Sequence, residues 1–444
     1  MNNLIHRSLL TKPAIATACD GLYIIDSNGK RYLDACGGAA VSNLGHSNQQ
    51  VIDAIDKQLR SVAYAHSAFF TTEALEDLAS LLTSLAPGMD KALFLSGGSE
   101  ANEAALKLCR QYYVETGKPN KSLFIAREQS YHGNTLGALG IGGNEWRKRD
   151  FKPLLKDSHL ISACYEYRLK KDSESSYEFG QRTANELETK IIELGADNVA
   201  AFIAETVVGA TVGAVPAVAG YFKRIREICD QYDVMLILDE VMCGIGRTGS
   251  IFAYEFESIE PDMVTSAKGL GAGYQPIGAL LCQDYITDAI RDGSGFFQHG
   301  HTFMGHATAV AGSLATLKYI QQNNLLPQVN ERGEQLRNSL TSKLSNHPHV
   351  GDIRGRGLFI GIELVANKET KQPFSATLKL NKKIKSTAMD KGLMCYPMGG
   401  TIDGQNGDHI LLAPAFIVSE SQIEAIAAII SDVIEQVISE LEDE

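Results

Sequence analysis

One lysine constrains this chain more than any other residue. Lys268 closes the segment Asp262-Met-Val-Thr-Ser-Ala-Lys268, which reads as a short buried strand, and a glycine-rich turn, Gly269-Leu-Gly-Ala-Gly-Tyr-Gln-Pro-Ile-Gly278, follows it. A charged, unpaired lysine at the end of an apolar strand is costly. Folds place one there when they need a neutral amine nucleophile, as in a Schiff base. Upstream, Val234-Met-Leu-Ile-Leu-Asp239-Glu240-Val241 reads as a second buried strand, and it ends in carboxylates.

Around these two runs the chain alternates strand and helix patterns, which predicts an α/β fold with a mostly parallel sheet covered on both faces. Strands are expected at Leu93–Leu95, Ser122–Ala126 and Val199–Glu205, and a further one, antiparallel or at an edge, at Gly278–Cys282. Ser99 to Tyr113 has helical composition. Gly220 to Tyr232 carries apolar residues at the spacing of an amphipathic helix. Beyond about residue 325 the pattern changes to helices around a glycine-rich hinge, Gly351–Gly357, and a strand, Leu358–Leu364. The last helix is expected to start at Ser419, with Gln422 placed for a capping box. Near the N-terminus, residues 21–26 and 30–34 flank a turn and read as a hairpin. The polar stretch Tyr165–Arg182 reads as a surface loop without chemistry. The expected organisation is a small-domain segment over 1–60, a large domain over 61–325 and the rest of the small α+β domain over 326–444.

A chain of 444 residues can bury a large core, and 44% hydrophobic with 21% charged residues is ordinary for a globular enzyme. The net charge of -12 argues against nucleic acid and anionic membrane surfaces as partners, though a local site can oppose that sign. No stretch is apolar enough to span a bilayer. Lys12 and Pro13 interrupt the N-terminal apolar run, so no signal peptide is expected. Eight scattered cysteines without a C-x-x-C pair point to a reducing, cytoplasmic setting.

Several segments carry candidate chemistry. Lys268 and Asp239 at the ends of neighbouring strands are what a pyridoxal phosphate site needs: one binds the aldehyde, the other faces the pyridinium nitrogen. Ser96-Gly-Gly98-Ser99-Glu100 joins a strand to a helix, so Gly98 and Ser99 are candidate phosphate binders at a helix N-terminus, although such turns also serve packing alone. In Tyr131-His132-Gly133 the aromatic ring could stack on a flat cofactor or simply fill a core. His299, His301 and His306 crowd together without a carboxylate or cysteine, and no metal site is expected there.

Taken together these segments resemble the class III, ω-amino acid type, pyridoxal-phosphate-dependent aminotransferases. The resemblance rests on Tyr32-Leu-Asp34 with Leu44-Gly-His46, Ser96-Gly-Gly-Ser-Glu-Ala-Asn-Glu-Ala-Ala105, Tyr131-His-Gly133 and Leu238-Asp-Glu-Val241 with Gly246-Arg-Thr-Gly249. It continues through Ala267-Lys-Gly269, His301-Thr-Phe303 and Arg354-Gly-Arg-Gly-Leu358. These runs follow the family's order over nearly the whole chain, and the ordered set is specific where each run alone is weak. The resemblance implies a fold-type-I transferase: a large domain with a mostly parallel seven-stranded sheet, and a smaller α+β domain built from both termini. It implies a homodimer, or a tetramer of paired dimers, with the active site at the subunit boundary.

For the residues, the resemblance implies that Lys268 forms the Schiff base and shuttles a proton, and that Asp239 holds the pyridinium. Val241 and Tyr131 would pack on the two ring faces, with His132 beside them. Gly98 and Ser99 would bind the phosphate, and Thr302 would reach in from the partner subunit. Glu205 would sit near the substrate side, while Tyr64, Phe69 and Phe70 would line the substrate entrance. The chain departs from the family at three places. Thr206 follows Glu205 where proline is frequent. Met242 stands where a glutamine often bonds the cofactor's phenolic oxygen. Tyr396, in Met394-Cys-Tyr396-Pro397, stands where many relatives carry a carboxylate-clamping arginine.

The expected activity is transfer of an amino group from an ω-amino compound to pyruvate or 2-oxoglutarate by a ping-pong mechanism. The donors in range are β-amino acids, β-aminoacyl thioesters, diamines and diaminobutyrate. The alternative is an aminomutase of the glutamate-1-semialdehyde type, which Met242 favours and Gly246-Arg-Thr-Gly249 opposes. A non-catalytic binding protein on the same fold would have little reason to keep both Lys268 and Asp239.

Overall fold

The computed structural model describes residues 3–156 and 158–442. Its centre is a seven-stranded sheet. In chain order the strands are β1 (Lys91–Leu95), β2 (Leu123–Arg127), β3 (His159–Ile161), β4 (Val199–Glu205), β5 (Met235–Asp239), β6 (Met263–Ser266) and β7 (Gly278–Cys282). Their spatial order is β1-β7-β6-β5-β4-β2-β3. β7 pairs antiparallel with both β6 and β1, and the other pairs are parallel. β7 therefore lies inside the sheet rather than at its edge. The short β3, for which the sequence carries no alternation, is an edge strand.

Every residue of β4, β5 and β7 is buried, as expected where helices cover both faces. Alternation sorts the side chains into two cores. Phe202, Ala204, Leu236, Leu238 and Val264 pack with the helices Ser176–Leu194 and Tyr221–Tyr232. Ala201, Ile203, Met235, Ile237 and Met263 face the helix Gly98–Glu115 through Ala101, Ala104 and Cys109. The odd-numbered residues at the strand ends, Glu205, Asp239 and Thr265, thus point toward that helix. Glu240 points the other way.

Two smaller sheets flank this core. The strands Ala16–Asp20, Tyr23–Asp26 and Arg31–Asp34 form a meander, and Leu393–Met394 joins it in parallel, which ties the two ends of the chain together. An antiparallel sheet runs in the order Val350–Arg356, Phe359–Leu364, Asp408–Leu412, Tyr396–Gly399. The final helix, Glu420–Glu442, begins with the expected capping box: Gln422 N–H donates to Ser419 Oγ at 3.2 Å, and Ser419 N–H to Gln422 Oε1 at 2.9 Å. Among the described residues no helix is long and apolar enough to cross a membrane.

Two expectations fail. Gly351–Gly357 is not a hinge but most of a strand, in register with Phe359–Leu364. Its glycines answer to close approach: a methyl on Gly351 would strike the Tyr167 hydroxyl, and one on Gly355 would strike the Phe359 carbonyl. Tyr165–Arg182 is not a bland loop either. Ser175 and Glu178 form a capping box that starts the helix Ser176–Leu194. Just before it, Tyr165 and Arg168 dock on the wholly buried Glu363. The charged composition concealed both features.

Glu363 also accepts from Arg354 Nη1 at 2.6 Å. Burial alone would raise its carboxyl pKa, but Arg354 and Arg168 outweigh burial and hold it below the usual glutamate range. A carboxyl depressed in this way stabilises the fold above its unfolded pKa, and the contribution disappears as pH falls through the folded value. Glu363→Gln leaves the buried Arg168 guanidinium without a carboxylate and Arg354 with Asp352 alone, and breaking a buried pair in this way costs about 3–5 kcal/mol. The melting temperature of the variant should lie well below wild type at pH 7. The gap should close below about pH 4, the ordinary glutamate range. A gap that stays constant down to acid would mean that charge is not what holds this junction.

Candidate active site

Three adjacent parallel strands end at one level. Asp239 stands in register with Glu205 on β4 and with Thr265 on β6. Open α/β sheets bind ligands at this carboxyl edge. A cavity of about 400 Å³ opens there and takes in Lys268, Asp239, Glu205 and the start of the Gly98–Glu115 helix.

Asp239 is 3% exposed and has three polar partners on its two carboxylate oxygens. His132 Nδ1 lies 2.8 Å from Oδ2, Asn102 Nδ2 donates to Oδ2 at 3.0 Å, and Val241 N–H donates to Oδ1 at 3.0 Å. Asn102 is itself oriented: its amide also donates to the His132 carbonyl at 2.6 Å, and Thr265 Oγ1 donates to its Oδ1 at 2.7 Å. Burial pushes the Asp239 carboxyl pKa up. The His132 contact outweighs that, so the net shift is downward and the group stays ionised.

Lys268 lies just past β6 with φ +40°, in the left-handed region that residues other than glycine rarely adopt. Holding it there takes about 1–3 kcal/mol from the surroundings. Asn43 supplies part of this by donating from Nδ2 to the Gly269 carbonyl at 3.0 Å. Turn bonds from Leu270 N–H to Ala267 O (2.8 Å) and Gly271 N–H to Lys268 O (3.1 Å) complete the brace. Burial lowers the amine's pKa, and Asp239 opposes this only in part. The amine is thus drawn toward its neutral, nucleophilic form.

At the other end of the cavity Gly97, extended at φ 178°, leads into the helix without a side-chain cap. The helix therefore presents its positive end and open N–H groups. A methyl on Gly98 would come within 2.7 Å of Val241 Cγ1, so glycine is what lets Val241 press against the helix start. Ser99 Oγ accepts from Asn134 N–H at 3.1 Å, which leaves its own proton to donate. Glu205 accepts from Tyr131 N–H at 3.0 Å, and Arg127 Nη2 lies 3.7 Å from its other oxygen.

On the opposite face Glu240 serves structure. It accepts from Thr206 Oγ1 at 2.5 Å, Ala253 N–H at 2.8 Å and Tyr254 N–H at 3.0 Å. Burial pushes its pKa up to about 7 against these donors. Thr206, the departure noted beside Glu205, therefore anchors Glu240.

The cavity wall gathers Gly98, Ser99, Tyr131, His132, Glu205, Asp239, Val241, Lys268 and Tyr396. It does not include Thr302, Phe69 or Phe70. Thr302 lies at the surface, where its carbonyl accepts from Tyr64 Oη at 2.8 Å. Phe69 and Phe70 are 78% and 70% exposed. Sequence reasoning missed Asn102, Thr265, Arg7 and Arg147. Asn102 had a legible signal: it falls three residues after Ser99 on one helix face. For Arg147 the sequence offered none. The donor set nevertheless fits pyridoxal phosphate. A desolvated amine, an ionised carboxylate, the side chains of Val241 and Tyr131 and an uncapped helix start share one cavity.

A family model described as aminotransferase class-III matches residues 6–434. An aminotransferase of Gibberella zeae is 43% identical over 436 residues, which cover 97% of this chain and 85% of that protein. Taurine–pyruvate aminotransferase of Bilophila wadsworthia is 34% identical over 423 residues, 94% of this chain and 91% of that one. The crystal structure of an omega transaminase from Pseudomonas jessenii, in complex with PMP, superposes with a TM-score of 0.90. That pair is 32% identical over 96% of this chain and 93% of the other.

Gly98→Ala tests the tight contact with Val241. Overpacking of this kind typically lowers stability by about 1–3 kcal/mol. Gly97→Ala is the matched control, because a methyl there meets nothing within 4 Å and its extended backbone suits any residue. Thermal melts should separate the two variants clearly. Equal melting temperatures would show that Val241 yields freely.

Proposed function

As this chain belongs to the class III aminotransferases, we propose that it moves an amino group from an ω-amino compound to pyruvate or 2-oxoglutarate by a ping-pong cycle. The donor classes are those named above: β-amino acids, β-aminoacyl thioesters, diamines and diaminobutyrate. The family depends on pyridoxal phosphate, and the similar P. jessenii structure holds PMP. When bound, this cofactor supplies an aldehyde that takes up the amine and a pyridinium ring that accepts electron density from the reacting carbon.

The observation that carries the reading is the pairing of Lys268 with Asp239 in one buried cavity. Lys268, its amine pKa lowered by burial, is suited to attack the aldehyde. The same Nζ would serve as the base that takes the proton from the substrate carbon bearing nitrogen and gives it up again. Asp239, its carboxyl pKa lowered by His132 and its oxygens held by Asn102, would keep the ring nitrogen protonated. Gly98 and Ser99 offer N–H groups and a hydroxyl to the phosphate. Val241 and Tyr131, both on the cavity wall, would lie against the ring.

A homodimer with a shared active site belongs to the same proposal. Phe69, Phe70 and Thr302 lie on exposed surface outside their own cavity, as they would if they served the partner's.

Cofactor absorbance on the purified holoenzyme tests the reading. One amine at a time, without keto acid, should convert the bound cofactor from its aldehyde to its amine form, and one keto acid should reverse the change. A response to amines that needs no keto acid for sustained turnover would favour the aminomutase. Lys268→Ala should remove turnover by at least about 10²–10⁴-fold, the usual share of a proton-transfer group, with unchanged far-UV circular dichroism. Normal turnover in that variant would end the assignment. Asp239→Asn should slow both half-reactions strongly, and near-normal rates would remove its role at the ring nitrogen.

A further inference from the structure

The lysine cavity shares a wall with a second one. Arg7, Arg147 and Tyr396 line both the inner cavity and an outer cavity of about 510 Å³. The outer cavity is also bordered by Arg149, Lys379 and Lys382, with Asp408 as its carboxylate. Burial pushes the Asp408 pKa up to about 6, and its Oδ1 accepts from Asn381 N–H at 3.3 Å. A protein of net charge -12 thus concentrates cations where its active site meets solvent.

Arg147 is built into this junction. Its guanidinium carbon lies 4.5 Å from the centre of the Tyr131 ring, and its backbone N–H donates to Asn144 Oδ1 at 3.3 Å. Asn144 Nδ2 in turn donates to Gln129 Oε1 at 2.9 Å, and Gln129 Nε2 to the Ile402 carbonyl at 3.0 Å. The nearby acids are engaged elsewhere: Glu145 pairs with Lys148 and Lys152, and Asp150 pairs with Arg149. Among the described residues neither Arg147 nor Arg7 has a carboxylate partner within ion-pair distance. Tyr396, the third member of the shared wall, can donate one hydrogen bond but brings no charge.

We propose that Arg147, together with Arg7, binds the acid group of the substrates, and that the donor is an ω-amino acid rather than a diamine. This rests on the aminotransferase reading and narrows it. A guanidinium fork matches a carboxylate or sulfonate bidentately, and the Tyr131 contact holds it on the wall of the cavity that also contains Lys268. The same fork serves the carboxylate of the keto acid in the second half-reaction, since one site handles both. A diamine would instead bring a second cation to this cluster and be repelled.

Two arms test it on the holoenzyme. In the first, propionate and ethanesulfonate, which carry no amine, are titrated by calorimetry. Wild type should bind them, Arg147→Gln about ten- to a hundredfold more weakly, as for a lost charge-assisted hydrogen bond, and Arg147→Lys in between. No binding by wild type, or equal binding by Arg147→Gln, overturns the proposal. In the second, the half-reaction is timed with β-alanine and with 1-aminopropane, which lacks the acid. Arg147→Gln should lower the preference for β-alanine about tenfold or more. An equal loss on both amines would assign Arg147 a structural role through Tyr131. Wild type that binds propionate but reacts with no amine would sink the aminotransferase reading and leave the acid site standing.

Discussion

Asp239 keeps its charge in a nearly dry sheet edge because His132, Asn102 and the Val241 backbone converge on its two oxygens. Each donor belongs to a different element: the segment after β2, the helix after β1 and the turn after β5. One carboxylate therefore fixes the mutual positions of three loops. The register of β4, β5 and β6 decides where that carboxylate stands, and a slip of one residue would turn it to the Glu240 side. Glu240 shows what that side offers: two backbone N–H groups, a threonine hydroxyl and a pKa pushed up to about 7. Adjacent carboxylates thus have opposite tasks, one charged for chemistry and one pinning the core, and pleating alone separates them.

The strain at Lys268 follows from the same arrangement. β6 ends at Ser266 and the chain turns at once, so the lysine must leave the strand in a left-handed conformation to stay on the cavity side. Asn43 reaches this turn from the N-terminal part of the chain, more than two hundred residues away, and Tyr396 and Ala39 close the cavity from both ends of the chain. The site is therefore not a property of the central sheet alone. The antiparallel flanking sheet brings Tyr396 to its wall, and the pairing of Leu33 and Asp34 with Leu393 and Met394 ties that stretch to the N-terminal meander.

Legibility in the sequence tracked local physics. β4, β5 and β7 were visible because a buried parallel strand is a plain apolar run, and Lys268 and Asp239 because charge at the end of such a run needs a reason. Glycines were visible but ambiguous. Gly98 makes room for Val241 at a helix start, whereas Gly351 and Gly355 only let a strand approach its neighbours, and no local pattern tells these uses apart. The Ser176–Leu194 helix was hidden by its charges, although Ser175 and Glu178 spell a capping box. Asn102 and Thr265 were unreadable as a pair because their contact joins positions 163 residues apart. The surroundings of Thr302, Phe69 and Phe70 lie beyond a single subunit in the proposed dimer, so the fold of one chain does not bring them to its own cavity.

Arg147 illustrates how a function can be kept while its residue moves. A substrate acid entering a cavity with the ionised Asp239 on its wall meets repulsion unless a cation offsets it. The family solution named from sequence, an arginine at the position of Tyr396, is missing here. Tyr396 nonetheless sits in the same wall as Arg7 and Arg147, so the cation need move only across the cavity mouth. Its new base is firmer than a strand-end arginine needs, with Tyr131 stacked against it and Asn144 and Gln129 behind. A guanidinium seated on the Tyr131 ring, on a backbone anchored by Asn144, keeps the site charged between the two half-reactions. Discrimination between an acid-bearing substrate and a plain amine then comes from the fixed field at the junction, and not from a side chain that must swing in and out.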